Sequence, residues 1–166
     1  MNSYNLENKL LEQYDDCIST ITNSKSLIKL IIKSSKLISL SMKNHNKLIS
    51  FGNGGSAADA QHFVAEFIGR FQKERKSLPA IAFTTDTSII TSIGNDYSFE
   101  KIFERQCESL VVKGDVVLAI STSGASKNVL YGVKMAKKNG AKIISLTGNR
   151  KTPLTKISDI SIQIPS

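Results

Sequence analysis

After Asn46 the chain settles into a strict alternation of short apolar runs and amphipathic segments, and few folds accept such a pattern. The runs Lys47–Phe51, Ala80–Thr84, Val116–Ser121, Lys142–Thr147 and Ile160–Ile164 have the length and β-branched content of buried strands. Between them, helical periodicity covers about 56–71, 86–94, 98–111 and 126–139. Strands separated by helices pair in parallel, because a helix carries the chain back to the same end of the sheet. The expected class is therefore α/β, a doubly wound five-stranded parallel sheet. No repeat, linker or low-complexity tract divides the chain, so residues 1–166 are expected to form one unit. Its parts are a helical arm over 1–46 and a parallel core over 47–166.

The arm carries two apolar stripes. Leu6, Leu10, Leu11, Tyr14, Cys17, Ile18 and Ile21 recur at three- and four-residue steps, as one buried helix face requires. Leu27, Leu30, Ile31, Ser34, Leu37, Ile38 and Met42 make a similar second stripe. Cys17 falls on the first stripe and Cys107 lies in a later helix, so both are expected to be small core residues.

Composition removes several alternatives. Of 166 residues, 40% are hydrophobic and 22% charged, which suits a globular domain and not a disordered one. Two Cys give neither a disulfide framework nor a Cys-based zinc site, and with two His any metal site must also use carboxylates or amides. No apolar run approaches the roughly 20 residues that span a bilayer. Met1–Glu7 lacks the basic-then-apolar order of a secretory signal, so a cytoplasmic location is expected. The 22 basic against 14 acidic residues give a net charge of +8. Lys25, Lys29, Lys33, Lys36, Lys43 and Lys47 are scattered over a helix without interleaved aromatics, which argues for a solvated face and against nucleic acid.

In an open parallel sheet, ligands collect beyond the carboxyl ends of the strands. Gly52-Asn53-Gly54-Gly55-Ser56 follows the first strand, and its glycines permit positive φ and close backbone approach. It is neither a dinucleotide fingerprint nor a P-loop, and alone it is equally a glycine-rich turn. Ser121-Thr122-Ser123-Gly124-Ala125-Ser126 follows the third strand and precedes a helix. Ser126 alone is an ordinary N-cap, but four hydroxyls at a helix N-terminus exceed what capping needs and suit a phosphate monoester. Gln61, His62, Glu66 and Arg70 lie on the helix between. His62 and Glu66, four apart, share one face, where they form a simple hydrogen-bonded pair, a metal-ligand pair or an acid/base pair. His45 lies in a polar stretch and is expected to be exposed. Thr84-Thr85-Asp86 and Gly94-Asn95-Asp96 are ordinary turn chemistry that gains weight only from company.

The block Gly52-Asn53-Gly54-Gly55-Ser56-Ala57-Ala58-Asp59-Ala60-Gln61-His62-Phe63, then Glu66 and Gly69-Arg70-Phe71, resembles the phosphoheptose isomerases of the sugar isomerase (SIS) fold. Leu78–Ala82, Thr85-Asp86, Gly94-Asn95-Asp96, Gly114-Asp115-Val116 and Ile120–Gly124 continue the match in order, over nearly the whole chain. The resemblance implies a flavodoxin-like sheet and conversion of sedoheptulose 7-phosphate to D-glycero-D-manno-heptose 7-phosphate, toward the heptose of lipopolysaccharide or capsule. It also implies a homotetramer with active sites between subunits and one zinc per site. Asn53, Gly54, Gly55, Asn95 and Asp96 would contact substrate, with Ser56 and Arg70 as polar neighbours. Ser121, Thr122, Ser123 and Ser126 would hold the phosphate. His62 and Glu66 match two zinc ligands, and Glu66 would be the base that moves the proton while zinc polarises the substrate oxygens.

Three features depart from the pattern. Relatives continue into a C-terminal helix that supplies a Gln and a His, and that helix is expected to follow Ser166. Thr147–Lys151 replaces a Gly-rich acidic turn, and Ala125 replaces a frequent Asn. The competing expectations are non-catalytic members of the same fold, either replication-initiator-associating or sugar-phosphate-sensing. Gly69-Arg70-Phe71 and the intact Ser121–Gly124 loop favour the isomerase.

Overall fold

The computed structural model describes residues 3–166 and holds five parallel strands between two layers of helices. The arm comprises α1 (Ser3–Asn23), a 3-10 turn (Ser24–Leu27) and α2 (Ile28–Lys43). There follow β1 (Leu48–Phe51), α3 (Gly55–Ile68), β2 (Ala80–Ala82) and α4 (Thr87–Asp96). A 3-10 turn (Phe99–Lys101) leads into α5 (Ile102–Leu110), then β3 (Val116–Ile120), α6 (Lys127–Lys138), β4 (Lys142–Gly148), α7 (Pro153–Ile157) and β5 (Ile160–Ile164). The sheet order is β2-β1-β3-β4-β5, every neighbouring pair parallel. All five expected strands are present. β2 stops at Ala82, two residues before the expected end, and Asp86 then caps α4 by accepting the Ile89 N–H at 2.9 Å.

Because side chains alternate across a strand, the sheet divides its own residues between two cores. Ile49, Phe51, Val117, Ala119 and Ile143 pack with Phe103, Cys107, Val129, Val133 and Leu154 of α5, α6 and α7. Leu48, Val116, Leu118, Ile120, Ile144 and Ile160 pack instead with Ile38 of α2 and with Ala60 and Val64 of α3. On the first side, Phe51 stacks on Phe103 with ring centroids 4.7 Å apart. Gly132 of α6 makes this possible, since a Cβ there would stand 2.8 Å from Phe103 Cβ. α7 was not expected from periodicity. It is five residues long and is set by Pro153 and a capping box between Thr152 and Thr155.

The first apolar stripe is not where its pattern placed it. Leu6, Leu10, Leu11, Tyr14, Ile18 and Ile21 are 49–70% exposed, and Cys17 is exposed with them. Periodicity shows that a helix face is to be covered; it does not show that the same chain covers it. α1 leaves the body of the molecule and packs mainly on the turn that follows it. The second stripe does reach the sheet through Ser34 and Ile38, with Leu30, Leu37 and Met42 partly buried. Cys107 is fully buried as expected, and burial pushes its thiol far above the usual range, so it is a packing group and no nucleophile. His45 is exposed, in a left-handed conformation with φ 61°.

Candidate active site

The strand order reverses between β1 and β3, and a doubly wound sheet opens its crevice at that point. Both glycine- and hydroxyl-bearing loops meet there. Gly52 leaves β1 so close to β3 that a Cβ would stand 2.6 Å from the Ile120 carbonyl oxygen and 2.8 Å from Ser56 Cβ. Gly54 turns the chain into α3 with φ 55°, a value that favours glycine. Asn53 then reaches across the crevice. Its Nδ2 donates to Asn128 Oδ1 at 2.9 Å, and Asn128 Nδ2 donates back to Asn53 Oδ1 at 2.8 Å. The buried Asn128 side chain also accepts the Val129 N–H at 2.9 Å, so the two loops and the start of α6 are one hydrogen-bonded unit.

The hydroxyl loop is built from its own backbone. Ser121 Oγ accepts the Gly124 N–H at 3.2 Å, and Ser123 Oγ accepts the Ala125 N–H at 3.3 Å. Each hydroxyl thus uses an oxygen lone pair inside the loop; the Ser123 proton remains available to an anion, while Ser121 and Ser126 share one of theirs. Ser126 occupies the N-cap position of α6 but makes no capping hydrogen bond; its Oγ lies 3.4 Å from Ser121 Oγ. Ser126 thus leaves the first turn of α6 without an N-cap; apart from the Val129 N–H, held by Asn128 Oδ1, its amides and dipole face the loop. Thr122 and Ser123 are exposed while Ser121 is buried. Gly124 (φ 59°) sits against the Thr152 side chain, which leaves no room for a Cβ.

The imidazole–carboxylate pair is formed, on another part of α3. His62 Nε2 lies 3.2 Å from Glu66 Oε1. Their side chains are 79% and 33% exposed, facing away from the buried Ala60 and Val64. At 1.5 Å per residue the pair lies about 10 to 16 Å along the helix from its start. The first turn of α3 faces the crevice; the pair does not join the hydroxyl loop within one chain. Arg70, past the end of α3, is exposed and pairs with Glu74 at 3.2 Å. Asn95 and Asp96 close α4, exposed, with Asn95 Nδ2 donating to Asp96 Oδ1 at 2.9 Å. The segment beyond them returns to the crevice, since Glu100 binds Lys127, the first residue of α6, at 2.9 Å. The hydrogen bond from Lys127 to Glu100 raises the lysine pKa above its ordinary value.

Two further groups shape the site without having stood out in the sequence. Asn128 is a polar residue in a helix first turn, and only the fold shows that it faces Asn53. Arg75 lies in a charged run, yet its guanidinium donates to the Phe67 carbonyl at 2.9 Å and also to the Glu66 carbonyl, closing the C-terminal end of α3. Gln61 Nε2, donating to Thr84 O at 3.1 Å, ties α3 to the loop after β2.

For a zinc ion, His62 and Glu66 supply one nitrogen and one carboxylate, and among the described residues no group of three or more His, Cys, Asp or Glu converges. Two ligands fall short of the four of a closed tetrahedral site or the three protein ligands of an open one. The described residues of one chain do not by themselves fit the ion.

Comparison with known proteins agrees with this architecture. The SIS domain family model matches residues 12–148. The phosphoheptose isomerase of Aquifex aeolicus is 52% identical over 136 residues, covering 82% of this chain and 71% of that protein. A phosphoheptose isomerase structure from Neisseria gonorrhoeae superposes with a TM-score of 0.90 at 36% identity, covering 97% of this chain and 86% of its own. One from Francisella tularensis gives 0.93 at 34% identity, covering 100% and 87%. A sugar-isomerase (SIS) fold with its crevice at the β1/β3 reversal is thus the class. Within it, the chain belongs to the phosphoheptose isomerase family.

Proposed function

We propose that the protein is a phosphoheptose isomerase that interconverts sedoheptulose 7-phosphate and D-glycero-D-manno-heptose 7-phosphate. The observation that carries this is the hydroxyl loop: a cluster of hydroxyls and a helix start without an N-cap, at the crevice where the strand order reverses. Ser121, Thr122, Ser123 and Ser126 grip the phosphate, and Asn53, Gly54, Gly55, Ser56, Asn95 and Asp96 line the path of the sugar. A seven-carbon chain puts its phosphate and its reacting carbons far apart, which suits a phosphate loop set well away from the acid/base group. Relatives more than half identical that bear the isomerase name favour catalysis over a non-catalytic binding role.

The chemistry is a proton transfer between adjacent carbons. The Glu66 carboxylate takes a proton from C1 of the ketose, the C1–C2 enediolate forms, and the proton returns to C2 as C1 becomes the aldehyde. The hydroxyl proton moves from O1 to O2 in the same turnover. His62, at 3.2 Å, holds the carboxylate in place. Zinc belongs to the proposal as an ion that would take His62 and Glu66 as two of its ligands and act as a Lewis acid. Arg70 is a polar neighbour of the sugar, released from Glu74.

Assembly completes the picture. The exposed stripe Leu11, Tyr14, Ile18 and Ile21 is an apolar face of the kind that pairs with other helices, and a homotetramer built on it would bring a second chain's groups to each crevice. A cytoplasmic enzyme is proposed; no helix among the described residues is long and apolar enough to cross a membrane.

The deciding experiment follows deuterium from solvent into C2 of heptose 7-phosphate. Exchange by the wild type and its loss by ~10³-fold in Glu66→Gln, with sugar-phosphate binding retained, is the expected result. A Glu66→Gln protein that exchanges at the wild-type rate removes Glu66 as the base, and a wild type that binds sugar phosphate without exchange removes the isomerase.

A further inference from the structure

The turn after β4 clasps the hydroxyl loop at both ends. The Gly148 N–H donates to the Thr122 carbonyl at 3.1 Å, and the Leu154 N–H donates to the Gly124 carbonyl at 3.2 Å. Thr152, buried, lies directly against Gly124. Residues 149–151 bridge these two anchors, and two of the three are cations, Arg150 and Lys151. The bridge is itself held: the Arg150 N–H donates to Gly148 O at 2.9 Å, and Gln163 Nε2 of β5 donates to Arg150 O at 2.8 Å. With consecutive Cα atoms 3.8 Å apart, neither cation's backbone is more than about 8 Å of chain from a residue that touches the loop.

Their side chains are uncommitted. Both are exposed, and among the described residues neither has a carboxylate within 4 Å. Three basic residues around the sheet are spent: Lys127 on Glu100, Lys47 on Asp115 and Lys142 on Asp159. Lys127 is the telling case. It follows the loop directly and is the natural cation for a phosphate, yet Glu100 draws it off. The hydroxyl loop has no side-chain charge of its own, whereas a phosphate monoester carries nearly two negative charges at neutral pH.

We propose that Arg150 and Lys151 form a cationic rim to the hydroxyl loop, supplying the charge that the loop lacks and selecting dianionic phosphate monoesters. The assignment rests on the reading of that loop as the phosphate site. The loop's hydrogen bonds fix the phosphate's position; the rim raises its affinity and capture rate through space. Because both cations are exposed, their contribution falls with salt over a Debye length of about 8 Å at physiological ionic strength.

The test is calorimetric titration of inorganic phosphate and of sedoheptulose 7-phosphate into wild type, R150A/K151A and R150K/K151R, at low and at high salt. The alanine pair is expected to bind both ligands ~5- to 10-fold more weakly at low salt, with the gap closing at high salt. The swapped pair should bind as wild type does, and all three should share one thermal midpoint. Equal affinities for wild type and R150A/K151A overturn the rim while leaving the phosphate loop in place. So does a loss that is independent of salt and accompanied by a lower midpoint, which marks a structural role. If wild type binds neither inorganic phosphate nor the sugar phosphate, the loop assignment falls, and the rim with it.

Discussion

The two ends of the sheet are made from similar residue types and do opposite things with them. At the amino end the carboxylates are answered. Asp115, fully buried, accepts the Val112 N–H at 2.9 Å, the Lys47 N–H at 3.0 Å and the Lys47 ammonium at 2.7 Å. Asp159 accepts the Ile143 N–H at 2.9 Å and the Lys142 ammonium at 3.3 Å, and Ser41 donates to Gly114 O at 2.8 Å. At the carboxyl end the Ser123 hydroxyl proton, the first two amides of α6 and two cations have no partner among the described residues. Satisfied groups hold strands in register; unsatisfied ones hold something that is not part of the chain. A binding end can therefore be told from a structural end by what its polar groups lack.

The sharpest way to break this contrast is at Asp115. Asp115→Ala removes the acceptor for two backbone amides and one ammonium in a buried place, and about 3 kcal/mol of stability is expected to go with it. Lys47 is partly exposed and can turn to water, which keeps the loss at the lower end of the range for a broken buried pair. Denaturant unfolding measures it. Phosphate affinity of the folded fraction should be unchanged, since the residue lies at the far end of the strands. A variant that keeps its stability and loses phosphate affinity would reverse the roles given to the two ends.

The converse is Ser121→Ala with Ser123→Ala. Hydrogen bonds to a charged group contribute about 1.5–3 kcal/mol each, so losing both should raise the Michaelis constant for the sugar phosphate ~100-fold or more. kcat should change little, because the phosphate is held alike in ground and transition states. Stability should fall by only ~1 kcal/mol, from the lost Ser121–Gly124 turn. An unchanged Michaelis constant would show that the loop binds nothing at its hydroxyls.

Most of this frame was legible before any coordinates. Alternating apolar runs carry strand position and parallel pairing, because burial on both faces demands Val and Ile and a crossover demands a helix. Glycines at 52 and 54 and hydroxyls at 121–126 mark the crevice, since such residues have little other use at a strand end. What escaped was pairing between distant parts. Asn128 looks like any polar residue in a first turn, Arg75 like part of a charged run, and Thr152 like a loop residue; each matters through a partner far away in sequence. The α1 stripe failed in the other direction. Its pattern was correct, but Leu11, Ile18 and Cys17 record that a surface is meant to be covered without naming the cover.

The smallest effect separates the two ends by pH. Burial pushes the Asp159 carboxyl up, but the Ile143 N–H and Lys142 outweigh it and hold it below the ordinary carboxylate range. A folded pKa below the unfolded one gives stability that is present above the unfolded value, near 4, and is lost as pH falls through the folded value. Asp159→Asn should therefore cost less than about 1 kcal/mol at neutral pH, the carboxylate being partly exposed and its ion pair screened. The difference from wild type should begin to shrink once the pH drops below about 4 and be gone only below the lower folded value, where the wild-type carboxyl is itself protonated. Thermal midpoints taken at pH 7, 5 and 3 trace that convergence. Curves that instead diverge toward acid would mean that Asp159 is strained in its charged form, and the amino end would then no longer be the end whose carboxylates are answered.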